Sequence, residues 1–328
     1  MNEGTPNESR ALVAVTNLRK LFPVRKGVLS RTTGHVHAVD GISFSIPQGQ
    51  TLALVGESGC GKTTTARLVL HLEKPDGGTI EVDGQQTTGL SGAGLKQFRR
   101  NTQMIFQDPY SSLNPRKKVR QIVAEPMIVH GVHAHRELHD RVIELLRDVN
   151  LSEDYLERYP HELSGGQRQR VGIARALSLS PKVIVCDEPL SALDVSIRSQ
   201  VINLLLDLQK RYRLTYLFIS HDLSVVKHLS DRIAVMYLGK IVEVASTVDF
   251  YARPIHPYSE ALLSAIPLPD PRAKDWRILL KGEIPSPIHP PSGCRFRTRC
   301  PLAQDLCARE EPPLREALPG HLVACHLR

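Results

Sequence analysis

Residues Gly56 to Thr63 read GESGCGKT, and what flanks them decides the fold. The preceding run, TLALV from Thr51 to Val55, is short, continuous and apolar, which is a strand signature. The following TTTARLVLHL repeats its apolar positions at helical spacing. Strand, glycine loop and helix together form the setting in which glycine, four residues, glycine, lysine and threonine cradle a phosphate chain. Gly56, Gly59 and Gly61 let backbone N–H groups curl around an anion, with Glu57, Ser58 and Cys60 between them. The helix start adds positive potential, Lys62 reaches the terminal phosphates, and the Thr63 hydroxyl, followed by Thr64, suits Mg2+. These residues imply a nucleoside triphosphatase without saying which kind.

Working outward, KVIVCDEP is an apolar strand that ends in two acids. Asp187 is placed to hold magnesium through water, and Glu188 to polarise the attacking water as general base. GTPases lack that second acid. Upstream, LSGGQ runs from Leu163 to Gln167 at the head of a strong helix, where Ser164, Gly165 and Gly166 make a second anion-binding helix start. One chain would leave that start without a phosphate.

With LSGGQ, the sequence resembles the ABC ATPase family, whose signature this segment is. The resemblance covers nearly the whole chain. It implies a head-to-tail dimer in which Ser164, Gly165, Gly166 and Gln167 close over ATP held by a second ATPase subunit. By the same resemblance, Gln107 in MIFQDP touches magnesium and the attacking water, and Asp194 in SALD lies in the loop that crosses the dimer interface. His221 after TYLFIS is the switch histidine. Phe22 in LRKLFP is expected to stack on adenine, with Phe44 as the alternative. The expected cofactors are ATP and Mg2+, and the catalytic set is Glu188, His221, Gln107 and Lys62.

Two further stretches narrow the resemblance. HPYSEALLSAIP (His256 to Pro267) and GCRFRTRCPLAQDLC with GHLVACH (Gly293 to His326) are similar to the C-terminal segments of oligopeptide, dipeptide and nickel uptake ATPases. The implied role is to couple ATP hydrolysis to peptide import, with two membrane permease subunits as partners and an extracytoplasmic binding protein acting indirectly. The implied location is the cytoplasmic face of the cell membrane. Nickel or another small solute is the alternative cargo. A soluble ABC ATPase acting on ribosomes or DNA is the alternative function, although neither a second ATPase half nor a long coiled-coil insertion is present in the sequence.

Composition agrees with these bounds. With 328 residues and 41% hydrophobic content, the chain can bury a large core. No apolar run approaches the roughly 18 to 20 residues of a membrane helix. A net charge of +8 permits a nucleic acid or an anionic membrane surface, but there is no Lys/Arg block of five, and no nucleic-acid partner is expected.

The expected fold is α/β: an ABC-type P-loop NTPase with a RecA-like, mostly parallel core sheet, an antiparallel β subdomain and a helical subdomain over about 108–178. The ATPase domain is expected over 1–254. A small, Pro-rich and loop-rich extension is expected over 255–328, carrying Pro267, Pro269, Pro271, Pro285, Pro287, Pro290 and Pro291. Two strands are expected over 12–22 and 36–46, joined by a basic loop from Pro23 to Gly34, and an amphipathic helix over 136–151.

Six cysteines in a chain of this kind argue against disulfides. Cys294, Cys300, Cys307 and Cys325 are separated by five, six and seventeen residues, and His326 is an alternative ligand. That spacing is not the two-residue knuckle of common zinc sites, so a [4Fe–4S] cluster is expected ahead of zinc, with four free thiols as the alternative. Cys186, inside an apolar strand, reads as core.

Overall fold

Continuous apolar runs become the buried strands of this chain. The computed structural model describes residues 11–27, 31–132, 137–266 and 277–328. In chain order the first elements are β1 (Ala11–Lys26), β2 (Arg31–Pro47), β3 (Thr51–Val55), α1 (Lys62–Val69), β4 (Gly77–Val82) and β5 (Gln85–Gln86). Next come α2 (Gly92–Asn101), β6 (Thr102–Ile105), α3 (Pro109–Ser112), α4 (Val119–His130), α5 (Leu138–Asp148) and α6 (Gly165–Leu177). They are followed by β7 (Val183–Asp187), α7 (Val195–Tyr212), β8 (Thr215–Ser220), α8 (Leu223–Leu229), β9 (Arg232–Tyr237) and β10 (Lys240–Ser246). The last are α9 (Thr247–Ala252), α10 (Pro257–Ser264), α11 (Asp305–Arg309), β11 (Arg315–Leu318) and β12 (His321–Val323).

The chain forms two compact units. One comprises 13–45, 51–87 and 219–328. It holds a four-stranded sheet in the order β2-β1-β4-β5, antiparallel at β1–β4 and β4–β5. It also holds the run β11-β12-β10-β9-β3, in which β3 and β9 are parallel while β9–β10, β10–β12 and β11–β12 are antiparallel. Every residue of β3 is buried, as a strand covered on both faces requires.

The other unit comprises, of the described residues, 11–12, 46–50 and those within 88–218. Its strands run β8-β7-β6, with β6 and β7 parallel, and β7 and β8 are buried along their whole length. Helices α3 to α6 form the helical part. In α5, Leu138, Val142, Leu145 and Leu146 turn inward while Arg141 and Glu144 pair at 2.9 Å outside, the division that helical periodicity predicts.

One expectation is corrected. The basic stretch from Pro23 to Gly34 is mostly strand: β1 continues to Lys26 and β2 begins at Arg31, with the Thr33 hydroxyl donating to the Val24 carbonyl at 3.3 Å. Polar composition disguised strands that run on past Phe22 and begin before Val36. The C-terminal region is loop-rich as expected, with no helix or strand over 277–304, and it also supplies α10, α11, β11 and β12, of which β12 pairs with β10 through Glu243↔Val323 and Val244↔Leu322. Pro267, Pro269 and Pro271, and residue 136 of the expected helix, lie outside the described residues. Among the described residues no helix is long and apolar enough to cross a membrane.

Candidate functional site

β3 ends at Val55 and α1 begins at Lys62, so Gly56 to Gly61 form a tight loop between them. Two of its glycines are obligatory. Gly56 has φ 152°, and a Cβ there would lie 2.1 Å from the Met236 carbonyl oxygen; Gly61 has φ 112°, and a Cβ there would lie 2.1 Å from the Ala38 carbonyl oxygen. The Gly239 N–H donates to the Cys60 carbonyl at 2.8 Å, tying the loop to the β9–β10 turn.

Buried Lys62 turns its ammonium back into the loop, donating to the Gly56 carbonyl at 2.8 Å and the Glu57 carbonyl at 3.0 Å. No side chain caps α1 and no acid sits in its first turn, which leaves the helix start suited to an anion. Ser58 and Gly59 are exposed, and Thr63 and Thr64 are half-buried. Burial raises the Cys60 thiol above its ordinary value, with Lys62 opposing, so Cys60 is a neutral loop residue.

Of the other expected residues in this unit, Phe22 is half-buried with the Lys20 ammonium 5.3 Å from its ring centre, whereas Phe44 is buried in the sheet. A buried ring has no face left for a base, whereas Phe22 keeps part of its ring open. His221, just beyond β8, is exposed.

The second unit gathers the hydrolytic candidates. Asp187 closes β7 and is buried. Glu188 follows with φ 45°, a left-handed backbone that costs a non-glycine residue energy and re-aims its side chain. The Gln107 amide donates to the Glu188 carboxylate at 3.2 Å, joining two residues 81 positions apart. Ser191 fastens the Glu188 carbonyl through its N–H at 3.2 Å and its hydroxyl at 3.0 Å.

LSGGQ makes a capping box at the head of α6: the Ser164 hydroxyl accepts from the Gln167 N–H at 3.3 Å, and the Gln167 side chain accepts from the Ser164 N–H at 2.9 Å. A Cβ on Gly166 would meet the Ile197 Cγ2 at 2.6 Å, so glycine lets α6 pack close to α7. Asp194 is the exposed residue preceding α7.

This geometry is matched by similarity along the whole chain. A family model described as ABC transporter covers residues 39–191, and one described as the C-terminal region of oligopeptide/dipeptide transporters covers 242–307. The oligopeptide transport ATP-binding protein AppF of Bacillus subtilis is 52% identical over 326 residues, spanning 98% of this chain and 99% of AppF. The chain belongs to the ABC transporter ATP-binding family. YkfD of the same organism, a putative oligopeptide transport ATP-binding protein, is 54% identical to this cassette, covering 96% of it and 95% of YkfD. Among solved structures, the dimeric ATP-binding cassette MJ0796 bound to ADP and Pi superposes with TM-score 0.63 at 28% identity, covering 72% of this cassette and 98% of that one. CbiO1 of Clostridium perfringens gives TM-score 0.64 at 28% identity, with 74% and 91% covered.

Sequence reasoning missed several residues that hold the candidate residues in place. Arg168 of α6 lies 3.8 Å over the Tyr110 ring and Arg175 lies 5.5 Å from the Phe106 ring, so the signature helix grips the segment that carries Gln107. From the C-terminal region, the Arg299 guanidinium forks onto the Glu57 carboxylate, and the Tyr258 hydroxyl accepts from the Glu57 N–H. Nothing local in the sequence signals these contacts.

The cysteines cluster only loosely. The Cys294 N–H donates to the Cys307 carbonyl at 2.8 Å. Burial pushes the Cys294 thiol up to about 11, and the nearby Cys307, Cys300 and Cys325 push the same way. Yet among the described residues no three His, Cys, Asp or Glu side chains stand close enough together to hold a metal ion.

Proposed function

We propose that this cassette is the ATP-hydrolysing subunit of a peptide importer, working as half of a head-to-tail ATPase pair docked on two membrane permease subunits at the cytoplasmic face. The observation that carries the reading is the loop of Gly56 to Gly61, with the buried Lys62 ammonium at its carbonyls, in a chain matched end to end by oligopeptide transport ATP-binding proteins. Gly56 to Thr64 bind the phosphates, Lys62 neutralises the terminal ones, and Phe22 stacks on adenine. Glu188, held by Gln107, takes the proton of the attacking water, and His221 meets the terminal phosphate. Ser164 to Gln167 cover the nucleotide of the partner cassette, and Asp194 lies at that interface. Nothing assigned to this chain touches the peptide, which is left to the permeases and the binding protein.

A hydroxyl, an amide oxygen and a carboxylate are the hard donors that magnesium takes, so Thr63, Gln107 and Asp187 fit it chemically. Magnesium bound with the nucleotide would offset phosphate charge. The four C-terminal thiols have the right chemistry for an iron–sulfur cluster but are not gathered into a ligand set, and no step runs through one. Iron and sulfide analysis after anaerobic purification tests this: a folded, metal-free chain is expected, and stoichiometric iron and sulfide would overturn it.

The function itself is tested by purifying the Glu188→Gln form with ATP from detergent-solubilised membranes. Two multi-span membrane proteins and a second ATPase are expected alongside it. Ribosomal or DNA-bound proteins in their place would overturn the importer reading in favour of a soluble ABC ATPase.

A further inference from the structure

Glu57, the second residue of the phosphate loop, is fastened at every polar group it has. Its carbonyl accepts from Lys62 at 3.0 Å, and its N–H donates to the Tyr258 hydroxyl of α10 at 2.9 Å. Its carboxylate takes both prongs of Arg299, at 2.7 and 3.1 Å. The two outer partners come from 201 and 242 positions away, in the C-terminal region. Both are set firmly: Arg299 is 8% exposed at its side chain and lies 5.9 Å from the Tyr237 ring, and Tyr258 is fully buried with Tyr237 and Phe296 at 4.8 and 5.3 Å. The pair with Glu57 holds the guanidinium well above its ordinary value, so Arg299 stays charged at any working pH.

We propose that Arg299 and Tyr258 are positioning residues for nucleotide binding: they neutralise and anchor Glu57, so that the C-terminal region sets the affinity of the phosphate loop for ATP. The electrostatic need is plain. A carboxylate in a loop built for a triphosphate repels its ligand unless a cation cancels it, and a half-buried pair is screened less than a surface pair. The Arg299 fork cancels that charge and fixes its direction, which a single-point ammonium does less well. The Tyr258 bond fixes the Gly56–Glu57 peptide plane, whose carbonyl, that of Gly56, accepts from Lys62, so the lysine that would meet the terminal phosphates is placed through the same peptide.

This inference rests on the nucleotide-binding reading of the loop, and the experiment separates the two. Equilibrium dissociation constants for MgATP and for ADP are measured on the full chain carrying Arg299→Ala, Arg299→Lys, Glu57→Gln, Tyr258→Phe and the double change Arg299→Ala/Glu57→Gln, with Lys62→Ala as the reference for a lost site. Arg299→Ala is expected to weaken MgATP about tenfold and ADP, with its lower charge, less. Arg299→Lys is expected to lie between Arg299→Ala and wild type, and the double change to bind within about threefold of wild type because the uncancelled charge is gone. Tyr258→Phe, which orphans the Glu57 N–H, is expected to weaken both nucleotides by a similar factor. If Arg299→Ala does not fold, Arg299→Gln replaces it. Unchanged MgATP binding in the arginine variants, or a double change no better than Arg299→Ala, would overturn the proposal. If Lys62→Ala also bound ATP like wild type, the underlying reading of the loop would fail instead.

Discussion

Lowering the pH should loosen the chain through one buried imidazole. His256 is 1% exposed, caps α10 by accepting the Tyr258 N–H at its Nδ1 at 3.1 Å, and packs 5.5 Å from the Phe296 ring. Glu243 faces its backbone, taking the His256 N–H at 2.8 Å, while His321 takes up the other side of that carboxylate. Burial lowers the imidazole from 6.5 to about 3, and a proton on Nδ1 would set one donor against another. The unfolded chain therefore binds this proton as pH falls below 6.5 and the native chain does not, so stability is intact above 6.5 and declines toward 3. At pH 5 the loss is about 2 kcal/mol, at about 1.4 kcal/mol for each pH unit below the unfolded value. Replacing the ring by an amide, His256→Asn, keeps a capping oxygen and removes the titration. Thermal unfolding of both proteins at pH 7.5 and pH 5 isolates the effect: on acidification the wild type should lose about 3 °C more in midpoint than the variant. Equal losses in the two proteins would refute the burial argument.

Two substitutions probe the hydrolytic unit. Glu188→Gln preserves the partner of Gln107 but removes the base, so ATP turnover should fall at least about a hundredfold while ATP binding persists and a closed dimer accumulates in size-exclusion chromatography; wild-type turnover would sink the assignment. Ser164→Arg removes the cap of α6, costing about 1 kcal/mol in denaturant midpoints, and should abolish turnover without abolishing ATP binding by the same chain, as equilibrium titration would report.

What the sequence disclosed and what it hid differ by the range of the interactions. The run TLALV and the glycines after it announce β3 and the loop, because a strand buried on both faces and a backbone at φ 112° each leave a local mark. The same holds for β7, β8 and α6, whose ends lie within two residues of where apolar runs and the serine cap put them. The far ends of β1 and β2 were hidden because their side chains are mostly polar and leave no apolar alternation to read. β11 and β12, of four and three residues, are too short for a period to register. The Gln107–Glu188 bond joins residues that resemblance had assigned to one site, yet its geometry spans 81 positions and no spacing encodes it. Arg299 and Tyr258 were invisible for the same reason.

The pairing of β12 with β10 has a consequence for how much chain the protein needs. A chain stopped after residue 254 would bare the outer edge of β10, a strand buried at Ile241 to Ala245, and leave unpaired main-chain groups open to any other strand. It would also strand Glu243, fully buried, without the two N–H donors of Ile255 and His256 and without His321. Such a shortened protein is expected to aggregate, and sedimentation of its lysate would tell. During synthesis the same edge stays open until Val323 has been made and can pair with Glu243.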